Sequence, residues 1–291
     1  MASALSGVSR FAFGYVTDRF VDLVKVSIVP AVISAVLSAA FMYSYMNSLS
    51  ETLANKGDAE ALAGIGGSVW SDLAFIVAST YVSMWLIAKV VRLILTDEAP
   101  SVIGSGGTLR SAFWLVLYYI GAVLLVIIPL ALMAGVVLGV LFAVNQNPGP
   151  GAIVAAIFVA VGMIVLMAWA LCRFFVGFQP VALGQRPGFF SGWRLTRGVS
   201  WVLFFRVIAA TLVFYAVLLI FWSAVGVSAM APMLSPDAAV GTSGEALDPE
   251  VMRNLGRNVA IGQVVMMIFA MPFLWYILAL FVETFRRLST A

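Results

Sequence analysis

Five long stretches of this chain carry no charge, residues 26–50, 73–88, 111–172, 207–236 and 258–282, and each is apolar along most of its length. A bilayer's hydrocarbon core is about 30 Å thick and takes roughly 20 apolar helical residues to cross. Four runs therefore hold one span each and the long run holds two. The pattern predicts helices near 26–46, 70–92, 113–144, 152–178, 202–231 and 258–282. The long run divides at Asn145, Gln146, Asn147, Pro148, Gly149, Pro150 and Gly151, a composition that predicts a tight hairpin at the interface. Continuous apolar runs favour helices over barrel strands, which alternate in short segments. The expected fold class is an all-α polytopic membrane protein: six transmembrane helices in a single membrane domain, residues 1–291, with interfacial amphipathic helices.

The first such helix is expected at about 10–25. Phe13, Val16, Phe20, Leu23 and Val24 recur at helical spacing, with Asp18, Arg19, Asp22 and Lys25 on the other side. A helix of that kind lies flat on a leaflet with its cations toward anionic headgroups. Two later segments superpose with a shift of 87 residues, Pro100 on Pro187, Arg110 on Arg197 and Trp114 on Trp201. An internal repeat of 100–117 with 187–204 would put similar lead-in helices at 104–114 and 188–200. Residues 111–144 would form a helix of about 51 Å, too long for a perpendicular crossing. The repeat favours a lead-in that bends into the span.

Charge sets the expected orientation. Thirteen of the sixteen Lys and Arg residues fall at one end of the spans, leaving Lys56, Arg253 and Arg257 at the other. Cations in short loops are retained on the cytoplasmic side, so both termini are expected there. Ser38, Ala39 and Ala40 also fit a signal-peptidase site, but the folded-looking segment before the first run favours an uncleaved anchor. With 63% hydrophobic and 10% charged residues, composition agrees with a bilayer protein.

Packing signals are ordinary. Gly135 with Gly139, Ala152 with Ala156 and Ala160, and Ser34 with Ser38 form small-xxx-small pairs, read as close helix contacts within one subunit. Trp114, Trp193 and Trp201 are expected interfacial anchors. Arg110, Arg186, Arg194, Arg197 and Arg206 are candidate contacts for anionic lipid, with Arg206 the most buried cation. Prolines Pro30, Pro129 and Pro272 could kink their spans.

Chemistry is sparse. The chain has no histidine and one cysteine, Cys172, which removes disulfides, thiolate clusters, imidazole-ligated haem and His-based nucleophile systems. No carboxylate lies deep in a span, where a proton-coupled carrier normally places one. Ser79, Thr80, Tyr81 and Ser83 are the nearest thing to a polar lining. The glycines at 64–67 and 104–107 lack the strand and the Gly-Lys ending of a phosphate loop.

The segment Phe178 to Gly198 contains Pro-x-Ala-Leu at 180–183, Pro187-Gly188, and Gly192-Trp193-Arg194-Leu195-Thr196-Arg197-Gly198 opening a span. It resembles poorly characterised bacterial inner-membrane proteins, among them the membrane domain fused to some glycerophosphodiester phosphodiesterases. The resemblance implies the anchoring half without the catalytic barrel, in a bacterial cytoplasmic membrane. The expected function is a structural or accessory membrane protein without an enzyme's site or a cofactor. Its expected partners are membrane lipids, anionic ones in particular, and other membrane proteins, with no nucleic acid. The alternative is a permease for a small molecule or lipid.

Overall fold

A computed structural model describes residues 7–54, 69–97, 106–144, 150–185, 190–230 and 249–290. The described residues form eight helices and no strand: α1 Val8–Asp18, α2 Phe20–Ala54, α3 Val69–Thr96, α4 Gly106–Val144, α5 Pro150–Ala182, α6 Ser191–Leu195, α7 Ser200–Met230 and α8 Pro249–Ser289. Six of them, α2, α3, α4, α5, α7 and α8, are long and apolar enough to cross a membrane. The chain is an all-α, multi-pass integral membrane protein.

The spans form three successive hairpins, α2–α3, α4–α5 and α7–α8, closed into a ring by the packing of α8 on α2. The second helices of the hairpins, α3, α5 and α8, also touch one another and form the centre, while α2, α4 and α7 sit outside them. The short pieces obey the same cyclic rule. α6 leads into α7 and rests on α5; α1 leads into α2 and rests on α8. The first turns of α4 rest on α3. Each lead-in thus lies against the central helix of the preceding hairpin.

The core occupies one end of this ring. Buried residues cluster at Leu23–Val26, Val82–Leu93, Ala112–Val126, Ala170–Ala182, Val199–Phe204 and Trp275–Thr284. Toward the opposite ends the helices turn apolar side chains outward: Leu132, Phe158 and Ile220 are 67%, 73% and 72% exposed. Such surface suits lipid or another protein's helices, because hydrocarbon accepts it without the penalty water would impose. The chain is closed at its arginine-rich end and open at the other.

Several sequence expectations change here. The helix expected at 10–25 ends at Asp18; Arg19 leaves helical geometry (φ −109°, ψ 21°), and Phe20 starts the span helix. Arg19 is held there by Asp22 at 3.2 Å and Asp97 at 2.9 Å. The face of α1 turned to the protein is Val8 and Ala12 with Tyr15 and Val16, while Phe13 is 66% exposed. The lead-in expected at 104–114 is the start of α4, which runs unbroken from Gly106 to Val144. Thr108 through Ala112 all tolerate a helix. The counterpart at 188–200 is broken at Gly198: α6 holds only Ser191–Leu195, and Gly198 turns the chain at φ 87° before α7 begins. Pro30, Pro129 and Pro272 lie inside assigned helices, as does Pro180. The hairpin residues 145–149 and the glycines at 64–67 lie outside the described residues.

Candidate functional site

The closed end is held by cations, and each central helix contributes at least one. On α5, Arg173 is 7% exposed. Its guanidinium lies over the Trp193 ring at 3.8 Å and near Trp169 at 5.0 Å. Its Nε donates to Thr196 Oγ1 at 3.0 Å and its Nη2 to the Trp193 carbonyl at 2.7 Å. A planar, delocalised cation that stacks and donates in two directions is what arginine supplies and lysine does not. This clasp fixes α6 on α5 at a backbone approach that only glycine allows. A Cβ on Gly192 would meet the Arg173 carbonyl oxygen at 2.5 Å and the Gly177 nitrogen at 2.7 Å.

On α3, Arg92 donates through Nε to the Ala182 carbonyl at 2.9 Å and through Nη2 to Ser111 Oγ at 3.1 Å. It ties three helices, α3, α4 and α5. One turn earlier, Lys89 is 4% exposed with its Nζ 5.4 Å from the centre of the Trp85 ring. On α8, Glu283 is 2% exposed and accepts from Arg287 Nε at 2.7 Å. Arg286 approaches the other oxygen at 3.2 Å in an ion pair whose geometry falls short of a hydrogen bond, and it lies over the Phe11 ring of α1 at 5.5 Å. A carboxylate this buried is tolerable because two guanidiniums attend it. The Trp275 indole donates to Ser27 Oγ at 2.9 Å, closing the ring between α8 and α2.

The sequence candidates divide between these ties and the surface. Arg110, Arg194 and Arg197 are exposed, in the first turns of α4, in α6 and in the turn after α6, where the bundle is closed. Arg206 is only partly buried; Arg173 and Lys89, which the sequence reading treated as topology cations, are the buried ones. Arg186 lies outside the described residues. Trp193 and Trp201 come together at Trp169, with ring centres 5.5 Å and 5.3 Å from it, so these two anchor candidates also join α5, α6 and α7. Trp114 is elsewhere, partly buried against the main core beside Phe113.

The packing candidates fare unevenly. Ser34 is 6% exposed and Ser38 partly buried. Gly135 and Gly139 face outward, with nothing within 4 Å of an added Cβ among the described residues, so the contact expected within the subunit is not formed by these residues. Ala160 is exposed, Ala156 partly buried, and the side chain of Ala152 is outside the described set. The reason is depth: these small residues lie on α4 and α5 beyond the stretches Ala112–Val126 and Ala170–Ala182, where the buried residues of those helices cluster.

The sequence carries one signal for the buried cations. Trp85-x-x-x-Lys89 and Trp169-x-x-x-Arg173 repeat the same spacing at the same end of consecutive hairpins. Residues four apart share a helix face, so each indole shields its cation. Both indole N–H groups are buried without a hydrogen-bond partner among the described residues.

The hydroxyls of α3 that offered a polar lining are partly satisfied by protein. Ser79 Oγ donates to the Ile76 carbonyl at 3.1 Å and the Tyr81 hydroxyl to the Leu109 carbonyl at 3.2 Å. Thr211 and Ser223 likewise bond to their own helix. Among the described residues no three metal-ligating side chains converge. Taken together, the arrangement can bind anions at its surface and hold helices at its centre. No protein-family model, curated protein or solved structure matches this chain.

Proposed function

We propose that the protein is a structural or accessory component of a bacterial cytoplasmic membrane, with both termini inside and its arginine-rich end against the anionic leaflet. In this reading it has no catalytic site of its own and works by engaging lipid headgroups and membrane partners. The observation that carries it is the division of labour among the arginines. Arg92, Arg173, Arg286 and Arg287 are engaged in ties inside the protein, whereas Arg110, Arg194 and Arg197 stand exposed around the same end. At about 1 kcal/mol for each cation near an anionic surface, three exposed arginines give roughly 3 kcal/mol, about a hundredfold preference. The segment around Gly192-Trp193-Arg194, which resembles the phosphodiesterase-linked membrane domains, lies at this end. It supports an anchoring role.

The test is lipid enrichment. Full-length protein is placed in nanodiscs prepared from phosphatidylcholine with a minority of phosphatidylglycerol, and the lipid retained around it is measured by mass spectrometry. Wild type is expected to enrich phosphatidylglycerol, and the triple variant Arg110→Gln, Arg194→Gln, Arg197→Gln to lose the enrichment. Equal lipid shells for the two proteins would refute the reading. Labelling of cysteines placed at Ser79 and Ser83 by water-soluble reagents would instead favour the permease.

A further inference from the structure

Between α7 and α8, under α1, runs a groove of about 690 Å³ that is apolar except at one end. Its polar end holds Arg206 and Ser9; from there it follows Ala210, Val213 and Val217 on α7 against Phe273 on α8. The groove exists because Ala209 and Ala210 present almost no side chain to α8, while a stacked pair, Phe214 on Phe273 at 4.2 Å and 5°, fills the space between the helices. From Arg206 to Leu218 the lining covers about 18 Å at 1.5 Å per residue. One leaflet of hydrocarbon is roughly 15 Å deep, half of the 30 Å core.

We infer that this groove is a binding site for one anionic phospholipid of the surrounding bilayer, its phosphate against Arg206 and Ser9 and one acyl chain laid along α7. The inference rests on the proposed placement of the arginine-rich end at headgroup depth. The occupant is chosen by three features together: a cation at one end only, an apolar remainder, and a length that matches a single leaflet. An extended peptide would leave backbone groups unpaired along such a wall, whereas an acyl chain has none. The neighbouring groove between α2 and α8 makes the contrast. It is smaller, about 390 Å³, and its lining carries no cation. Its one hydroxyl, on Ser27, already takes the Trp275 N–H. That groove should accept lipid without preferring a headgroup.

The experiment uses full-length protein reconstituted in mixed phosphatidylglycerol and phosphatidylcholine vesicles, re-extracted in mild detergent and examined by native mass spectrometry. Wild type should keep one phosphatidylglycerol per chain. Arg206→Gln should reduce retention about fivefold, one cation's share of the attraction to an anionic headgroup. Val213→Trp, at a position 67% exposed where a large side chain is tolerated, should plug the groove and abolish retention. Both variants must elute as the wild type does; Ala210→Leu replaces Val213→Trp if it does not fold. Arg194→Gln with Arg197→Gln should leave the tightly held lipid in place even where the loose shell is lost. Retention unchanged in Arg206→Gln and in the plugged variant would overturn the site, as would phosphatidylcholine held equally well or no lipid held by wild type. Loss in the Arg194/Arg197 variant alone would overturn the groove and leave the surface reading standing. Loss in Arg206→Gln and in the plugged variant, with the tight lipid kept in the Arg194/Arg197 variant, is the result expected, and the surface reading then stands or falls on the loose shell.

Discussion

Gly192→Ala puts the clasp between α5 and α6 to its hardest test. The added methyl would lie 2.5 Å from the Arg173 carbonyl oxygen and 2.7 Å from the Gly177 nitrogen, both backbone atoms that cannot rotate away. Relieving the overlap moves α6 off α5. Overpacking of this kind costs typically about 1–3 kcal/mol. The shift also stretches the Arg173 hydrogen bonds to Thr196 and Trp193, and a bond from a charged donor contributes about 1.5–3 kcal/mol. Taking one displaced contact and one lost bond, the loss is about 3 kcal/mol or more. At about 2–4 °C per kcal/mol the unfolding midpoint should fall by roughly 6–12 °C. Thermal unfolding in detergent is followed by tryptophan emission, to which Trp169 and Trp193, flanking the guanidinium, contribute among the chain's eight tryptophans. Gly135→Ala is the matched control: nothing among the described residues lies within 4 Å of its new methyl, so it should be neutral or gain about 0.5–1 kcal/mol from helix propensity. A Gly192→Ala protein as stable as wild type would refute the clasp.

Three further outcomes follow from the same contacts. Arg173→Lys keeps the charge but loses the stacking plane over Trp193 and one donor direction, and should cost about 2 kcal/mol or more in denaturant unfolding; equal stability would mean that charge alone matters. Cys172 is buried, so a maleimide should label it only after unfolding, and rapid labelling of the native protein would contradict its packing. Burial holds the Tyr15 phenol above its ordinary value of 10.0, against the opposing pull of Arg19 and with help from Asp97 and Asp22. The folded chain then keeps a proton that the unfolded chain gives up, so the Tyr15 contribution is whole below pH 10.0 and declines as pH rises through the folded value. Midpoints compared between about pH 9 and 11 should converge for wild type and Tyr15→Phe as pH rises; parallel curves would contradict it.

The spans were legible because a helix in hydrocarbon must be apolar on every side for about 20 residues, a demand that charged or turn residues interrupt visibly. Their order round the ring was not, since in a bilayer the faces that meet protein and lipid are equally apolar. The break at Arg19 was hidden because Asp18-Arg19-Phe20 carries neither Gly nor Pro; a tertiary pair with Asp97, far along the chain, stabilises it. Exposed Arg110, Arg194 and Arg197 could be named from charge patterning alone. The buried cations could not be ranked by position in the run, which made Arg206 look deepest. What buries Arg173 is Trp193, supplied by a segment twenty residues away in sequence.

The claim on which the lipid readings depend is the side of the membrane that the arginine-rich end faces. In a Cys172→Ser background, Arg197→Cys places one exposed thiol at that end. A membrane-impermeant maleimide should label it in inverted inner-membrane vesicles and leave it unlabelled in intact spheroplasts. Labelling from the outside of spheroplasts, with protection in inverted vesicles, would contradict the account.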